Sequence, residues 1–93
     1  MVEICCKHLF LSGRVQGVSF RASIRRKAKI LDVEGWVKNL NDGRVEAVFA
    51  GRPKKVENMV DFAREGPRFA RVDNIEVNRK EYNDELDGFQ IRY

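Results

Sequence analysis

Residues that build metal centres and covalent catalytic sites are scarce in this sequence. It contains one histidine and two cysteines, and the cysteines, Cys5 and Cys6, are adjacent. Neighbouring residues on a strand point to opposite faces, so these thiols are poorly placed to bond each other. No C-x-x-C or Cys/His cluster accompanies them. A zinc site is therefore unsupported, no metal or other cofactor is expected, and free thiols favour a cytoplasmic protein.

Long apolar runs are also missing. None approaches the length that crosses a membrane, and the opening residues 1–4 lack the basic region and apolar stretch of a signal peptide. The sequence has no internal repeat, linker or low-complexity segment. Its 93 residues are expected to form one domain, residues 1–93, with no membrane partner.

The charge excess is small. There are 18 basic and 14 acidic residues, which give a formal net charge of +4. This balance suits an anionic partner such as a nucleotide, a nucleic acid or a phosphorylated metabolite. Because both signs are present in number, an ordinary solvated surface explains the charge at least as well. Charge alone therefore does not choose a function.

Period-two apolar patterns predict five strands. They are expected at Cys5–Leu11, Glu34–Leu40, Arg44–Ala50, Ala70–Arg79 and Phe89–Tyr93. Leu9 and Leu11 of the first strand are expected to face the helices. Asn41-Asp42-Gly43 predicts a hairpin turn, because these residues accept positive φ. In the fourth strand the apolar alternation is out of step, which indicates either a late start or a bulge near Asp73.

Two apolar stripes at helical spacing separate the strands. The first comprises Phe20, Ile24, Ala28 and Leu31, and the second comprises Val56, Met59, Val60 and Ala63. Asp32 is expected to close the first helix in a left-handed conformation. Pro53 suits the first turn of the second helix, and Gly66-Pro67 ends it. The polar stretch Lys80–Asp87 is expected to be a surface loop.

The element order is β-α-β-β-α-β with a short C-terminal fifth strand. Right-handed β-α-β crossovers place both helices on one face of an antiparallel sheet. The order therefore predicts a ferredoxin-like α+β fold, an α/β sandwich. This fold hosts RNA binders, metal binders and enzymes, so function must be argued from particular residues.

The stretch from Ser12 to Arg21 joins the first strand to the first helix. Gly13 and Gly17 permit a tight turn, and the helix that follows offers free N–H groups and the positive end of its dipole. Arg21, a cation in an unfavourable first-turn position, weakly argues for an anion in front of it. The stretch lacks the Gly-Lys-Ser/Thr ending of a nucleotide P-loop. From residue types alone, a glycine-rich connection with an incidental arginine remains an equal alternative.

Two residues refine this candidate. Seven-residue phosphate cradles of some phosphatases begin with a nucleophilic cysteine and end with arginine, and here Val15 occupies the first position. Such a cradle could bind phosphate but has no thiol to be phosphorylated. Asn39 shares a strand face with Val37, so its amide must find partners. It either caps the adjacent turn or holds a water molecule without titrating.

Other candidate catalytic residues are weaker. His8 is the single histidine and is expected to be structural or at the surface. Ser19 lies in the loop with no activating histidine or lysine nearby in sequence. Asp42 and Glu46 fit turn chemistry and an exposed strand face better than paired-carboxylate catalysis.

A nucleic-acid-binding module on the same fold is the alternative from a different class. It would use the basic side of the first helix or aromatic residues on strands. These are Arg25, Arg26, Lys27 and Lys29, and Phe10, Trp36 and Phe49. No RNP1-type Lys/Arg-Gly-Phe/Tyr run occurs, and strand aromatics are mostly packing. We therefore expect no nucleic acid partner.

Two long motifs resemble the acylphosphatases. They are Gly13–Arg21, which reads GRVQGVSFR, and Gly35–Glu46, which reads GWVKNLNDGRVE. Gly66-Pro67 with Ala70-Arg71-Val72, and the ending Gly88–Tyr93, are also similar, so the resemblance covers nearly the whole chain. It implies a small cytoplasmic enzyme that hydrolyses the carboxyl–phosphate bond of acyl phosphates to a carboxylate and inorganic phosphate, without a metal.

The resemblance also implies roles for particular residues. Arg21 and the loop N–H groups bind the phosphate, and Asn39 positions the attacking water, with no phosphoenzyme. The implied phosphate-binding residues are Val15, Gln16, Gly17, Val18, Ser19, Phe20 and Arg21. Inorganic phosphate or sulfate is expected as a ligand, and the protein is expected to be a monomer. Asp32 departs from the family, which usually has glycine at this helix end.

A third interpretation keeps the fold and the site. Acylphosphatase-like domains also begin larger carbamoyl-transfer enzymes, which makes carbamoyl phosphate a plausible substrate. The ending at Tyr93, just after the last strand, favours a free-standing enzyme.

Overall fold

The computed structural model of the chain describes residues 3–82 and 86–93. Its elements are β1 (Cys5–Arg14), α1 (Phe20–Leu31), β2 (Glu34–Asn39), β3 (Val45–Gly51), α2 (Pro53–Glu65), β4 (Arg71–Arg79) and β5 (Phe89–Arg92). The predicted element order is confirmed. Part of the expected surface loop Lys80–Asp87, residues 83–85, lies outside the described residues. Neither helix in the described ranges has the length and apolar character needed to span a membrane.

The five strands form one sheet in the order β4-β1-β3-β2-β5. β1 pairs antiparallel with β3 and with β4, and β2 pairs antiparallel with β3. β5 lies at the edge beyond β2 and runs parallel to it, so the sheet is mixed rather than wholly antiparallel. Apolar alternation predicted this strand but carries no information about its partner or direction.

Both helices pack on one face of the sheet. Leu9 and Leu11 are fully buried in the same cluster as the two helical stripes, as predicted. The buried helix residues are Phe20, Ile24 and Ala28 of α1 and Val56, Met59 and Ala63 of α2. Each large apolar side chain removed from water contributes about 1.5–3 kcal/mol, so this layer is the main source of stability.

The helix ends agree with the sequence. Asp32 closes α1 with φ 58° and ψ 46°, and its N–H donates to the carbonyl of Lys29 at 3.3 Å. Pro53 is the first residue of α2. The N–H of Gly66 donates to the carbonyl of Phe62 at 2.8 Å at the other end. The left-handed residue at Asp32 turns the chain sharply into β2.

A bulge interrupts the pairing of the edge strand β4 with β1, next to the connection between β1 and α1. Ser12 pairs with Asn74 but Gly13 pairs with Val72, so Asp73 is the extra residue, as one of the two sequence interpretations predicted. β1 extends beyond its predicted end at Leu11, and Gly13 lies in the strand rather than in the loop. Local sequence does not show this, because the extension is made by pairing with β4.

Gly13→Ala is expected to lower the free energy of unfolding by about 2–4 kcal/mol. Gly13 has φ 123°, and an added Cβ would lie 2.2 Å from the carbonyl oxygen of Arg71. Urea denaturation followed by circular dichroism measures the change. Gly51→Ala is the matched control, because a Cβ there meets its neighbours at 3.8 Å. Equal effects of the two substitutions would contradict the prediction.

Candidate active site

Residues 15–21, the anion loop, connect β1 to α1. Gly17 has φ 73° and Ser19 has φ 62°, whereas Val18 between them has a negative φ. Alternating signs of φ turn successive N–H groups toward one side of the backbone and form a concave anion site. A left-handed conformation costs a non-glycine residue about 1–2 kcal/mol, and Ser19 adopts one here. The serine itself gives no sequence signal for this conformation.

The beginning of α1 is open toward the same loop. Its N-cap residue, Ser19, makes no side-chain capping hydrogen bond, and the first turn contains no acidic residue. The first N–H groups of a helix have no acceptor within the helix. These donors, the positive end of the dipole and the guanidinium of Arg21 therefore all attract an anion.

A cavity of about 250 Å³ lies at this point. It is lined by Val15, Gly17, Ser19, Phe20, Arg21, Ala22, Asn39, Ile91 and Tyr93. The fold thus brings together Arg21 and Asn39, which are distant in sequence. None of these lining residues is acidic. Larger cavities of about 460 and 560 Å³ lie elsewhere, and neither contains Arg21 or Asn39.

Asn39 is the last residue of β2, and its side-chain oxygen is notable for what surrounds it. Oδ1 is buried and accepts no hydrogen bond from the residues described. The alternative role of capping the turn falls to Asp42, which accepts hydrogen bonds from the backbone N–H of Arg44 at 3.1 Å and its Nε at 2.8 Å. These bonds hold the pKa of Asp42 below its usual range. Asn39 thus lines the cavity with a side-chain oxygen that has no hydrogen-bond partner among the described residues.

Tyr93, Ile91 and Ala22 also line the cavity, and sequence reasoning assigned them no role. β5 pairs with β2 so that Ile91 stands opposite Val37, which brings the end of the chain beside Asn39. The guanidinium carbon of Arg21 lies 5.0 Å from the centre of the Tyr93 ring. The alternation of Phe89, Ile91 and Tyr93 indicated that these side chains share one face of a strand. Only the pairing of β5 with β2 shows that this face reaches the cavity.

The seven residues predicted to bind phosphate are not equivalent in the structure. Five of them line the cavity, while Gln16 and Val18 do not. The side chain of Val15 is buried in the core, so only its backbone can serve the site. Val18 packs against the core. The amide of Gln16 turns to the chain that follows β2, where it contacts Leu40 and Arg44.

The weaker catalytic candidates lie elsewhere. His8 alternates with the buried Leu9, so its side chain is on the sheet face away from the helices. Its Nε2 lies 2.6 Å from Oε2 of Glu46. Asp42 accepts a hydrogen bond from Arg44, whereas Glu46 contacts His8. The two carboxylates therefore have different partners and do not act as a pair. Within residues 3–82 and 86–93, no group of three His, Cys, Asp or Glu side chains is arranged to hold a metal ion.

The three strand aromatics named as a candidate platform, Phe10, Trp36 and Phe49, do not form an open stacking surface. Phe49 is fully buried in the core. The guanidinium carbon of Arg44 lies 4.9 Å from the centre of the Phe10 ring, and that of Arg92 lies 4.6 Å from the centre of the Trp36 ring. Each of these two rings therefore already stacks with a cation of the chain itself.

Comparison with known proteins places this chain in a family. A family model described as Acylphosphatase matches residues 7–91. The chain belongs to the acylphosphatase family. An acylphosphatase from Roseiflexus is 48% identical over 98% of this chain and 98% of its own length. An acylphosphatase from Haloarcula marismortui is 52% identical over 92% of this chain and 93% of its own length.

Solved acylphosphatases also share the fold. The structure of an acylphosphatase from Coxiella burnetii superposes with a TM-score of 0.90 at 39% identity, over 96% of this chain and 93% of that one. Family, relatives and fold agree, so the chain is an acylphosphatase enzyme, and the resemblance seen in the sequence is confirmed.

Proposed function

We propose that this enzyme hydrolyses the carboxyl–phosphate bond of small acyl phosphates in the 250 Å³ cavity. Arg21 and the N–H groups of the anion loop bind the phosphate, and Asn39 positions the attacking water. The observation that carries the proposal is that Oδ1 of Asn39 is buried without a partner among the described residues, while Asn39 lines the same cavity as Arg21.

The phosphate end of the substrate fits the anion loop. A guanidinium presents a planar fork of donors that matches two phosphate oxygens. The loop N–H groups and the open helix end supply further donors to the remaining oxygen. Phosphoryl transfer proceeds through a loose transition state in which positioning and charge stabilisation dominate. Positioned donors, the Arg21 guanidinium together with the loop N–H groups, therefore perform most of the catalytic work.

The water molecule attacks phosphorus directly. Oδ1 of Asn39 accepts a hydrogen bond from the water and orients its lone pair toward the phosphate. Val15 stands where a thiol nucleophile would be needed, so no phosphoenzyme forms. The P–O bond to the carboxyl group breaks as the new P–O bond forms, and a phosphate oxygen of the substrate takes the proton of the water. The products are a carboxylate and inorganic phosphate.

The chemistry of the leaving group explains why the reaction needs few catalytic side chains. A carboxylic acid has a pKa of about 4, so the carboxylate departs with little or no help from a general acid. The cavity accordingly needs no histidine or carboxylic acid for this step. No metal, other cofactor or nucleic acid takes part in the proposed reaction.

The oligomeric state, the ligands and the cellular compartment of the enzyme are proposed next. We propose that residues 1–93 act as one domain and as a monomer, with inorganic phosphate or sulfate as ligands of the loop. Cys5 and Cys6 are both free thiols, which supports a reducing, cytoplasmic compartment. Carbamoyl phosphate is a candidate substrate beside simple acyl phosphates.

Hydrolysis of benzoyl phosphate in EDTA tests this function. We expect turnover in the ordinary enzyme range of about 1–10³ s⁻¹, with competitive inhibition by inorganic phosphate. Rapid quenching after mixing with radiolabelled acyl phosphate is expected to leave no label on the protein. Activity that disappears in EDTA and returns with a divalent metal would overturn the proposal, and so would a labelled protein. A parallel assay with carbamoyl phosphate decides whether that compound is a substrate.

A further inference from the structure

The side chain of Gln16 connects the two halves of the site. Its Nε2 donates one hydrogen bond to the carbonyl oxygen of Leu40 at 2.8 Å and one to that of Arg44 at 2.9 Å. A carboxamide nitrogen carries two hydrogens, and both are used here. Gln16 belongs to the anion loop, whereas Leu40 follows Asn39 directly. One side chain therefore links the phosphate-binding loop to the strand end that carries the water-binding amide.

The two acceptors are the closing pair of the turn between β2 and β3. The N–H of Leu40 donates to the carbonyl of Arg44 at 2.8 Å, and the N–H of Gly43 donates to the carbonyl of Leu40 at 3.2 Å. Asp42 fixes both the backbone and the side chain of Arg44. The turn is thus held by its own bonds, and Gln16 attaches the loop to a rigid support.

The loop has little other support at this point. Val15 is anchored by its buried side chain, Val18 packs against the core, and α1 begins at Phe20 with its stripe in the core. Between them Gly17 has no side chain, and nothing lies within 4 Å of a Cβ built on it. The two hydrogen bonds of Gln16 therefore fix the distance from this part of the loop to the turn that follows Asn39.

We propose that Gln16 is a positioning residue that sets the distance between the phosphate-binding N–H groups and the carboxamide of Asn39. This inference rests on the proposed function of that site. The side chain of Gln16 is directed away from the cavity to the turn, so it acts through the turn and Asn39 rather than on the substrate. Catalysis is sensitive to such spacing, since a misplacement of about 1 Å can cost about a hundredfold in rate.

Gln16→Met tests the inference, because methionine has a similar length and no donors. We expect kcat for benzoyl phosphate to fall about 10–100-fold, while the inhibition constant of inorganic phosphate changes by less than about threefold. Gln90→Met is the matched control, an exposed glutamine on β5, and is expected to leave kcat unchanged. Unchanged kcat in Gln16→Met, or equal losses of kcat and phosphate binding, would overturn the inference.

Combining this substitution with Asn39→Ala separates positioning from general damage. If Gln16 acts through Asn39, Gln16→Met will lower kcat by no more than about threefold further in the Asn39→Ala background. A full multiplicative loss would overturn the inference and leave the proposed function intact. Full activity of Asn39→Ala alone would instead contradict the proposed function. The two failures are therefore distinguishable.

Gln16→Glu supplies a second variant should the methionine variant fold poorly. A carboxylate cannot donate to two carbonyl oxygens, whereas a protonated carboxyl can donate to one. We expect kcat of this variant relative to wild type to rise as the pH falls toward the ordinary glutamate pKa of about 4.3. A relative kcat that does not change with pH would count against the hydrogen bonds as the source of positioning.

Discussion

Arg21→Ala is expected to lower kcat/KM for benzoyl phosphate by about 10³–10⁵-fold, the range seen when an arginine that stabilises phosphoryl transfer is lost. Among the described residues that line the cavity, Arg21 is the one with a cationic side chain. Its loss removes the fork of donors from both the bound phosphate and the transition state. The inhibition constant of inorganic phosphate is therefore expected to rise as well.

The fold should survive this substitution. Arg21 is half-buried in the first turn of α1, where a cation opposes the helix dipole, and its described side-chain contact is the one with the Tyr93 ring. Arg25→Ala is the matched control, an exposed arginine of the same helix, and is expected to keep nearly full activity. Steady-state kinetics and phosphate inhibition check both variants. An active Arg21→Ala enzyme with unchanged phosphate inhibition would remove Arg21 from the site.

Asn39→Ala is expected to lower kcat by about 10²–10³-fold, the effect of removing one preorganised hydrogen-bonding group from a transition state. Phosphate binding should change little, because the loop and Arg21 remain. This pattern differs from that of Arg21→Ala, in which binding and turnover both suffer. Loss of phosphate binding in both variants to the same degree would contradict the separate roles.

Stability provides a second readout for Asn39. Oδ1 of Asn39 accepts no hydrogen bond from the residues described, so its removal takes no such bond away from the fold. Asn39→Ala should therefore be at least as stable as the wild type in urea denaturation. Asn74→Ala, an exposed asparagine on the edge strand β4, is the matched control for activity. A large loss of stability would indicate that Asn39 serves the fold rather than the reaction.

Much of the site could be predicted before the fold was known. Glycines at 13 and 17 and an arginine at 21 indicated an anion loop at a helix beginning, since these residue types directly affect backbone conformation and charge. The position of Asn39 next to a strong turn indicated an amide with two alternative uses. The hydrogen bonds that Asp42 accepts from Arg44 favour the use in the cavity, and local sequence left them open.

The sequence by itself determined the elements, their order, both helix ends and the chemistry available at the loop, because periodicity and the conformational limits of glycine, proline and aspartate act over a few residues. Only the tertiary structure decided that β5 runs parallel to β2, that the Arg21 guanidinium lies over the Tyr93 ring, and that the side chain of Gln16 joins the anion loop to the turn between β2 and β3. These contacts join residues distant in the chain. They depend on which strands become neighbours, and that choice is made by packing of the whole core rather than by any local pattern.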